Sequence, residues 1–164
     1  MIIPSNSTPQ RALVVGSIAF DVIFDIHGKI QDEILVENGK LGRQNLMFTA
    51  KARKHYFGGT GANIAYGLGL LGNRPLLFSL VGKDFVGDFQ NHLTAVGVDL
   101  RVLIKPDEWT AAFYGMSDQE TQQIGVYQPN AYEKIDSLSL FKTLSEADLA
   151  EIGTAIFSAG TGKS

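Results

Sequence analysis

The 164-residue sequence contains no cysteine, which excludes disulfides, thiolate nucleophiles and cysteine-based zinc sites. The three histidines, His27, His55 and His92, are too scattered to suggest a zinc site. A reducing cytoplasm suits such a chain. Long apolar runs are missing too: no stretch approaches the roughly 18 residues that a membrane helix needs. The opening "MIIPSNSTPQR" has an early proline, a Ser/Thr cluster and no signal-peptide core, and residues 1–10 read as a flexible leader. Positive charge is not in excess either. With 14 Lys and Arg against 17 Asp and Glu, the net charge of −3 gives no broad cationic surface for nucleic acid, and the local "KARKH" at 51–55 reads as an exposed strand face.

What is present is a globular composition, 45% hydrophobic and 19% charged. A complete domain of this size buries roughly 70% of its unfolded surface and needs no staples. The elements follow from periodicity. "RALVVGS" (11–17) is a short apolar run closed by glycine, as in a buried parallel strand. "FDVIFDIHG" alternates, with Phe20, Val22, Phe24 and Ile26 on one face and Asp21, Ile23, Asp25 and His27 on the other. "NLMFTAKARKHYF" (45–57) interleaves polar residues in the same way. From residue 58 the period becomes helical: Ile64, Leu68 and Leu71 form a bulky stripe beside the small stripe Ala65, Gly69 and Gly72, with Thr60 as the expected cap. "PLLFSLVG" is a buried strand, Asp84 opens a helix carrying Phe85, Phe89, Leu93 and Val96, and a strand follows at 98–104. "TAAFYGMS" and "QIGVYQPNA" form a hairpin, then come a helix in "LFKTLSEADLAEIG" and the strand "TAIFS". The order points to α/β with an accessory sheet.

"GGTGANIAYGLGLLG" (58–72) carries the chemistry. Two glycines before a helix let backbone N–H groups meet a bound oxygen, and Asn63 one turn on both donates and accepts, which suits a hydroxyl. A tight turn with Asn63 satisfying a loop carbonyl fits the same spacing. Two look-alikes fail. The dinucleotide pattern begun by Gly59 and Gly61 needs glycine at 64, where Ile64 stands. "GTGKS" (160–164) imitates a P-loop, but Phe157 stands where the first glycine belongs.

"GSIAFD" on the opening strand, the glycine helix start and "VGKDFVGD" after the next strand together resemble the N-terminal half of pfkB-type sugar and nucleoside kinases, the ribokinase and adenosine kinase group. The likeness runs from about Leu13 to the end. It implies an α/β, ribokinase-like fold: an incomplete, mostly parallel sheet flanked by helices, over residues 11–164, with a small β-sheet lid from strands near 20–27, 45–57, 110–117 and 122–130. It also implies that Asp21, Gly58, Gly59 and Asn63 bind sugar hydroxyls. Tyr127, with Phe113, offers an aromatic surface to a base, although lid packing explains both rings equally well. Some ribose kinases carry asparagine two positions before the acidic residue, where this chain has Ala19; that and the "GVYQPNA" strand point to a nucleoside first and a free sugar such as ribose or fructose second.

The resemblance further implies a catalytic Gly-Ala-Gly-Asp segment and an ATP site, with Mg2+, in a second half. No such segment occurs in this sequence. The expectation is therefore a truncated or partial product without catalytic residues or a metal site of its own. It would bind a nucleoside or sugar, bind neither nucleic acid nor membrane, and form a homodimer through the lid strands. A non-catalytic sugar-binding module and an unliganded structural domain are the alternatives.

Overall fold

The computed structural model describes residues 10–34, 36–37, 40–41 and 46–158. The leader up to residue 9 and the P-loop look-alike at 160–164 lie outside the described residues. In chain order the elements are β1 (Arg11–Val15), β2 (Ala19–Ile26), α1 (Ile30–Glu33), β3 (Val36–Glu37), β4 (Lys40–Leu41), β5 (Ala50–Gly58), α2 (Thr60–Leu70), β6 (Leu76–Gly82) and α3 (Asp88–Thr94). There follow β7 (Asp99–Lys105), β8 (Ala111–Ser117), β9 (Gln123–Gln128), a 3-10 segment (Asn130–Ser137), α4 (Leu140–Thr143), α5 (Glu146–Glu151) and β10 (Ile152–Phe157). They divide into two units, one built from the chain up to Ala19, Phe57–Ala111 and the chain from Pro129, the other from Phe20–Tyr56 and Ala112–Gln128.

In the first unit the apolar runs become a sheet of order β10-β1-β6-β7, parallel throughout. β6 is buried along its whole length, the pattern of a strand covered on both faces. Its Leu76, Phe78 and Leu80 join Leu13, Ala131, Tyr132 and Ile135 in one cluster beneath the 3-10 segment, while α2 packs on β1 and β6. Among the described residues β10 pairs with β1 alone and leaves Phe157 69% exposed.

One helix reading is met, that the small stripe of α2 allows close approach to a sheet, and one needs correction. On α2 the small residues Gly61, Ala62 and Ala65 are buried, while Leu71 of the bulky stripe is 84% exposed. The close approach of the backbones decides this: a Cβ on Gly61 would stand 2.6–2.9 Å from the backbone of Gly16, so only a small stripe can face β1. The helix expected from Asp84 begins at Asp88 after Gly87, whose φ is 113°. Asp84 instead accepts a hydrogen bond from the Thr110 N–H at 2.8 Å. Phe85, Phe89 and Leu93 are buried as their spacing demands.

Polar groups tie the strand starts of this unit together. Arg11 bonds Asp99 (2.9 Å) and Glu151 (3.0 Å), and Arg101 grips Asp148 through two nitrogens (3.0 and 2.6 Å) while also reaching Asp99. Asp148 closes the capping box of α5 with Ser145. The Arg101 guanidinium holds the Asp148 carboxyl well below the usual carboxylate range. Partial burial pushes Asp99 up, but the hydrogen bonds from Arg11 and Arg101 bring it below its ordinary value. Because both are depressed in the folded chain, their stabilisation is complete above the ordinary carboxylate range, declines as pH falls below it and is lost only as pH falls through their lowered values. Arg101→Leu is accordingly expected to cost about 2 kcal/mol at pH 7. Urea unfolding at pH 7 and pH 3 checks this, with the gap to the wild type narrowing at the lower pH.

The second unit holds a sheet of order β5-β2-β8-β9 and the two-stranded β3-β4 sheet. β8 and β9 form the expected hairpin, Phe113 opposite Tyr127. Its turn is organised by the Asp118 carboxylate, which accepts from the N–H groups of Ile30, Glu120 and Gln122 at 2.9 Å each. The strand read over 45–57 starts only at Ala50, and Ala50–Tyr56 are exposed throughout. An edge strand that reads Ala-Lys-Ala-Arg-Lys-His-Tyr has no continuous apolar face to bury. No helix among the described residues is long and apolar enough to cross a membrane.

Candidate functional site

The glycine loop belongs to the first unit. β5 ends at Gly58, Gly59 turns the chain with φ 89°, and α2 begins at Thr60. That φ lies where L side chains are strained. A Cβ at Gly59 would also stand 2.6 Å from the Ser17 carbonyl oxygen and from the Ala19 nitrogen. Gly59 is therefore required twice, by conformation and by space. Its carbonyl accepts the Asn63 N–H at 2.9 Å. The Asn63 side chain is exposed and makes no hydrogen bond among the described residues, so it does not satisfy a loop carbonyl. It lines a cavity of about 190 Å³ with Phe57, Ala62, Tyr66, Phe89, His92 and Leu93. Four of those rings contact one another in series, two of the pairs stacked. Phe57 lies on Phe89 (4.6 Å) and near His92 (5.0 Å), and His92 lies on Tyr66 (4.4 Å).

Thr60 does not cap α2 with its own side chain. Ser17, just past β1, supplies what the cap would have: its Oγ accepts the Thr60 N–H and its carbonyl accepts the Ala62 N–H, both at 3.0 Å. Sequence spacing missed Ser17 because the cap comes from a residue 43 positions away. The available signal was a small hydroxyl residue directly after a glycine that closes a buried strand.

Asp21 and Tyr127 belong to the second unit. Asp21 is partly buried on β2 and has neither an ion-pair nor a hydrogen-bond partner among the described residues; desolvation alone raises its pKa above the ordinary carboxylate value. Asp25, four residues on and on the same face, is bound to Lys54 at 2.6 Å. Two aspartates of one strand thus have opposite circumstances, one neutralised and one left with open acceptor capacity. Tyr127 lies on β9, two strands from β2 in the sheet order, half-exposed with its hydroxyl pKa pushed up by burial. The Phe113 ring lies over Gly115 and Gly125, where added Cβ atoms would meet it at 2.9 and 2.4 Å. That ring serves hairpin packing. No three His, Asp or Glu side chains gather as a cation site among the described residues.

The pfkB family carbohydrate kinase model matches residues 10–163. The nucleoside kinase of Methanothermobacter thermautotrophicus is 31% identical over 123 residues, 74% of this chain and 36% of that protein. Among solved structures, the Burkholderia thailandensis nucleoside kinase in complex with inosine aligns with a TM-score of 0.60 at 28% identity, over 75% of this chain and 38% of that one. The nucleoside kinase of Methanocaldococcus jannaschii, a member of the ribokinase family, aligns with a TM-score of 0.73 at 21% identity, over 92% of this chain and 45% of that one. The chain thus spans less than half the length of each of these relatives. With the glycine turn, the strand that carries Asp21 and the parallel sheet in place, the match over nearly every residue assigns the chain to the pfkB family of carbohydrate kinases, with the ribokinase-like α/β fold.

Proposed function

We propose that this chain is the substrate-binding part of an ATP-dependent kinase that phosphorylates the primary hydroxyl of a nucleoside ribose, of the adenosine kinase type, acting in the cytoplasm. The observation that carries the reading is the unpartnered, partly buried Asp21 carboxylate beside the neutralised Asp25. An ionised carboxylate accepts from two adjacent hydroxyls at once, and a ribose offers such a pair. The glycine turn at Gly58 and Gly59 and the free amide of Asn63 are further hydroxyl-binding groups, and Tyr127 is an aromatic neighbour for the base. The likeness to an inosine-bound nucleoside kinase favours a nucleoside over free ribose or fructose. ATP would supply the phosphoryl group and Mg2+ its charge compensation; no residue of this chain is assigned to either. A homodimer through the accessory strands belongs to the same proposal.

Calorimetry of the 164-residue chain with inosine, adenosine and ribose tests the reading, alongside light scattering for the mass. The wild type binds a nucleoside, and Asp21→Ala weakens it about 10- to 100-fold, the loss of one or two charge-assisted hydrogen bonds. Asp21→Asn gives a second readout. Burial favours the protonated acid in the folded chain, so stability falls as pH rises through the raised pKa. Asn removes that penalty, and the unliganded variant melts above the wild type at pH 7 while binding less. Unchanged affinity in Asp21→Ala would sink the assignment. Binding without phosphoryl transfer from ATP favours the second reading, a non-catalytic sugar-binding module.

A further inference from the structure

We infer that Ser17 is a positioning residue for the glycine loop, fixing the first turn of α2 so that Gly58, Gly59 and Asn63 are held ready for a ligand hydroxyl; this rests on the hydroxyl-binding reading of that loop. Ser17 is 8% exposed, and its two oxygens are used differently. The Oγ accepts from Thr60 N–H and the carbonyl from Ala62 N–H, two of the four N–H groups that a helix start leaves without intrahelical acceptors. The same carbonyl touches the Cα of Gly59 so closely that a Cβ would stand 2.6 Å from it. One residue earlier, Gly16 receives Gly61 with room for no side chain on either. Gly16 and Ser17 together form a socket: one residue sets how close the helix start comes, and the other sets its rotation through two directional bonds. Rotation is what matters for Asn63. At 3.6 residues per turn its side chain projects from the turn that Ser17 holds, and neither Asn63 nor α2 has a side-chain cap of its own.

The test combines amide hydrogen exchange with inosine titration of the 164-residue chain. In Ser17→Ala the Thr60 amide exchanges at least about 10-fold faster, the amides of β6 are unchanged, and inosine affinity falls about 5- to 10-fold, the range of a lost helix cap. Ser17→Thr keeps the acceptor and restores affinity to within about two-fold. Should Ser17→Ala fail to fold, Ser17→Cys replaces the hydroxyl with a weak acceptor at similar size, and the same losses are expected. Arg101→Leu serves as the stability control, destabilising the unit while leaving inosine affinity within about two-fold. If Arg101→Leu loses affinity as Ser17→Ala does, the effect is general stability and the inference is overturned. Wild-type binding that Ser17→Ala leaves unchanged, or an unaltered Thr60 exchange rate, overturns the positioning role alone. A wild-type chain that takes up neither inosine nor ribose overturns the kinase reading and this role together.

Discussion

Gly59→Ala is expected to destabilise the chain by about 3–5 kcal/mol, adding the strain of a non-glycine residue at positive φ to forced overpacking. The added methyl group would meet Ser17 O and Ala19 N at 2.6 Å and Ile18 Cα at 2.8 Å, and all three are backbone atoms that cannot swing aside. Relief requires moving either the β1–β2 connection or the start of α2, and the flanking strands and the Ser17 bonds resist both. A loss of that size is a large share of the 5–15 kcal/mol typical of a domain, so urea unfolding detects it directly. Gly67→Ala is the matched control. Gly67 lies mid-helix with nothing within 4 Å of an added Cβ, and alanine there is expected to stabilise by about 0.5–1 kcal/mol. If both substitutions have the same sign, the glycine turn is not built as described.

Local chemistry made some of these features legible in the sequence and left others unreadable. The parallel strands could be read because a doubly covered strand must be apolar throughout, as Leu76–Gly82 is. The β8-β9 hairpin could be read because alternation is a local property. The packing face of α2 could be read only in part: a small stripe through Ala65 marks a close approach, but Gly16, which sets the distance, lies in another element. The 3-10 segment Asn130–Ser137 has no simple period of its own; it forms where Ala131, Tyr132 and Ile135 find the apolar face of β6.

The candidate site divides along the same line. Gly58, Gly59 and Asn63 stand next to one another in sequence, so their role as a turn and helix start was visible before any fold. Ser17 acts on that turn from 43 positions away, and only the pairing of β1 with β6 beneath α2 brings it there. Asp21 and Asp25 are alike in sequence, both polar members of one alternating strand. Lys54 on β5 separates them, by neutralising one and leaving the other.

Phe89→Ala is expected to cost about 3–5 kcal/mol, the usual range for removing a buried aromatic ring. Phe89 is 1% exposed in the first turn of α3, stacked on Phe57 and tilted against Phe85 at 5.6 Å. Its loss joins the volume of the ring to the cavity of about 190 Å³ beside Asn63 and removes the surface that supports Phe57, the residue before the glycine turn. Two effects should therefore travel together: a lower urea midpoint and weaker inosine binding. The void left by the ring, against Phe57 and Phe85, is apolar, and such voids take up small aromatic molecules, so added benzene should recover part of the midpoint in Phe89→Ala and none in the wild type. Phe89→Leu keeps most of the volume and should cost less than about half as much. An Ala variant that unfolds within about 1 kcal/mol of the wild type would mean that the aromatic series does not hold α3 against α2. In that case the support for the glycine loop comes from Ser17 alone.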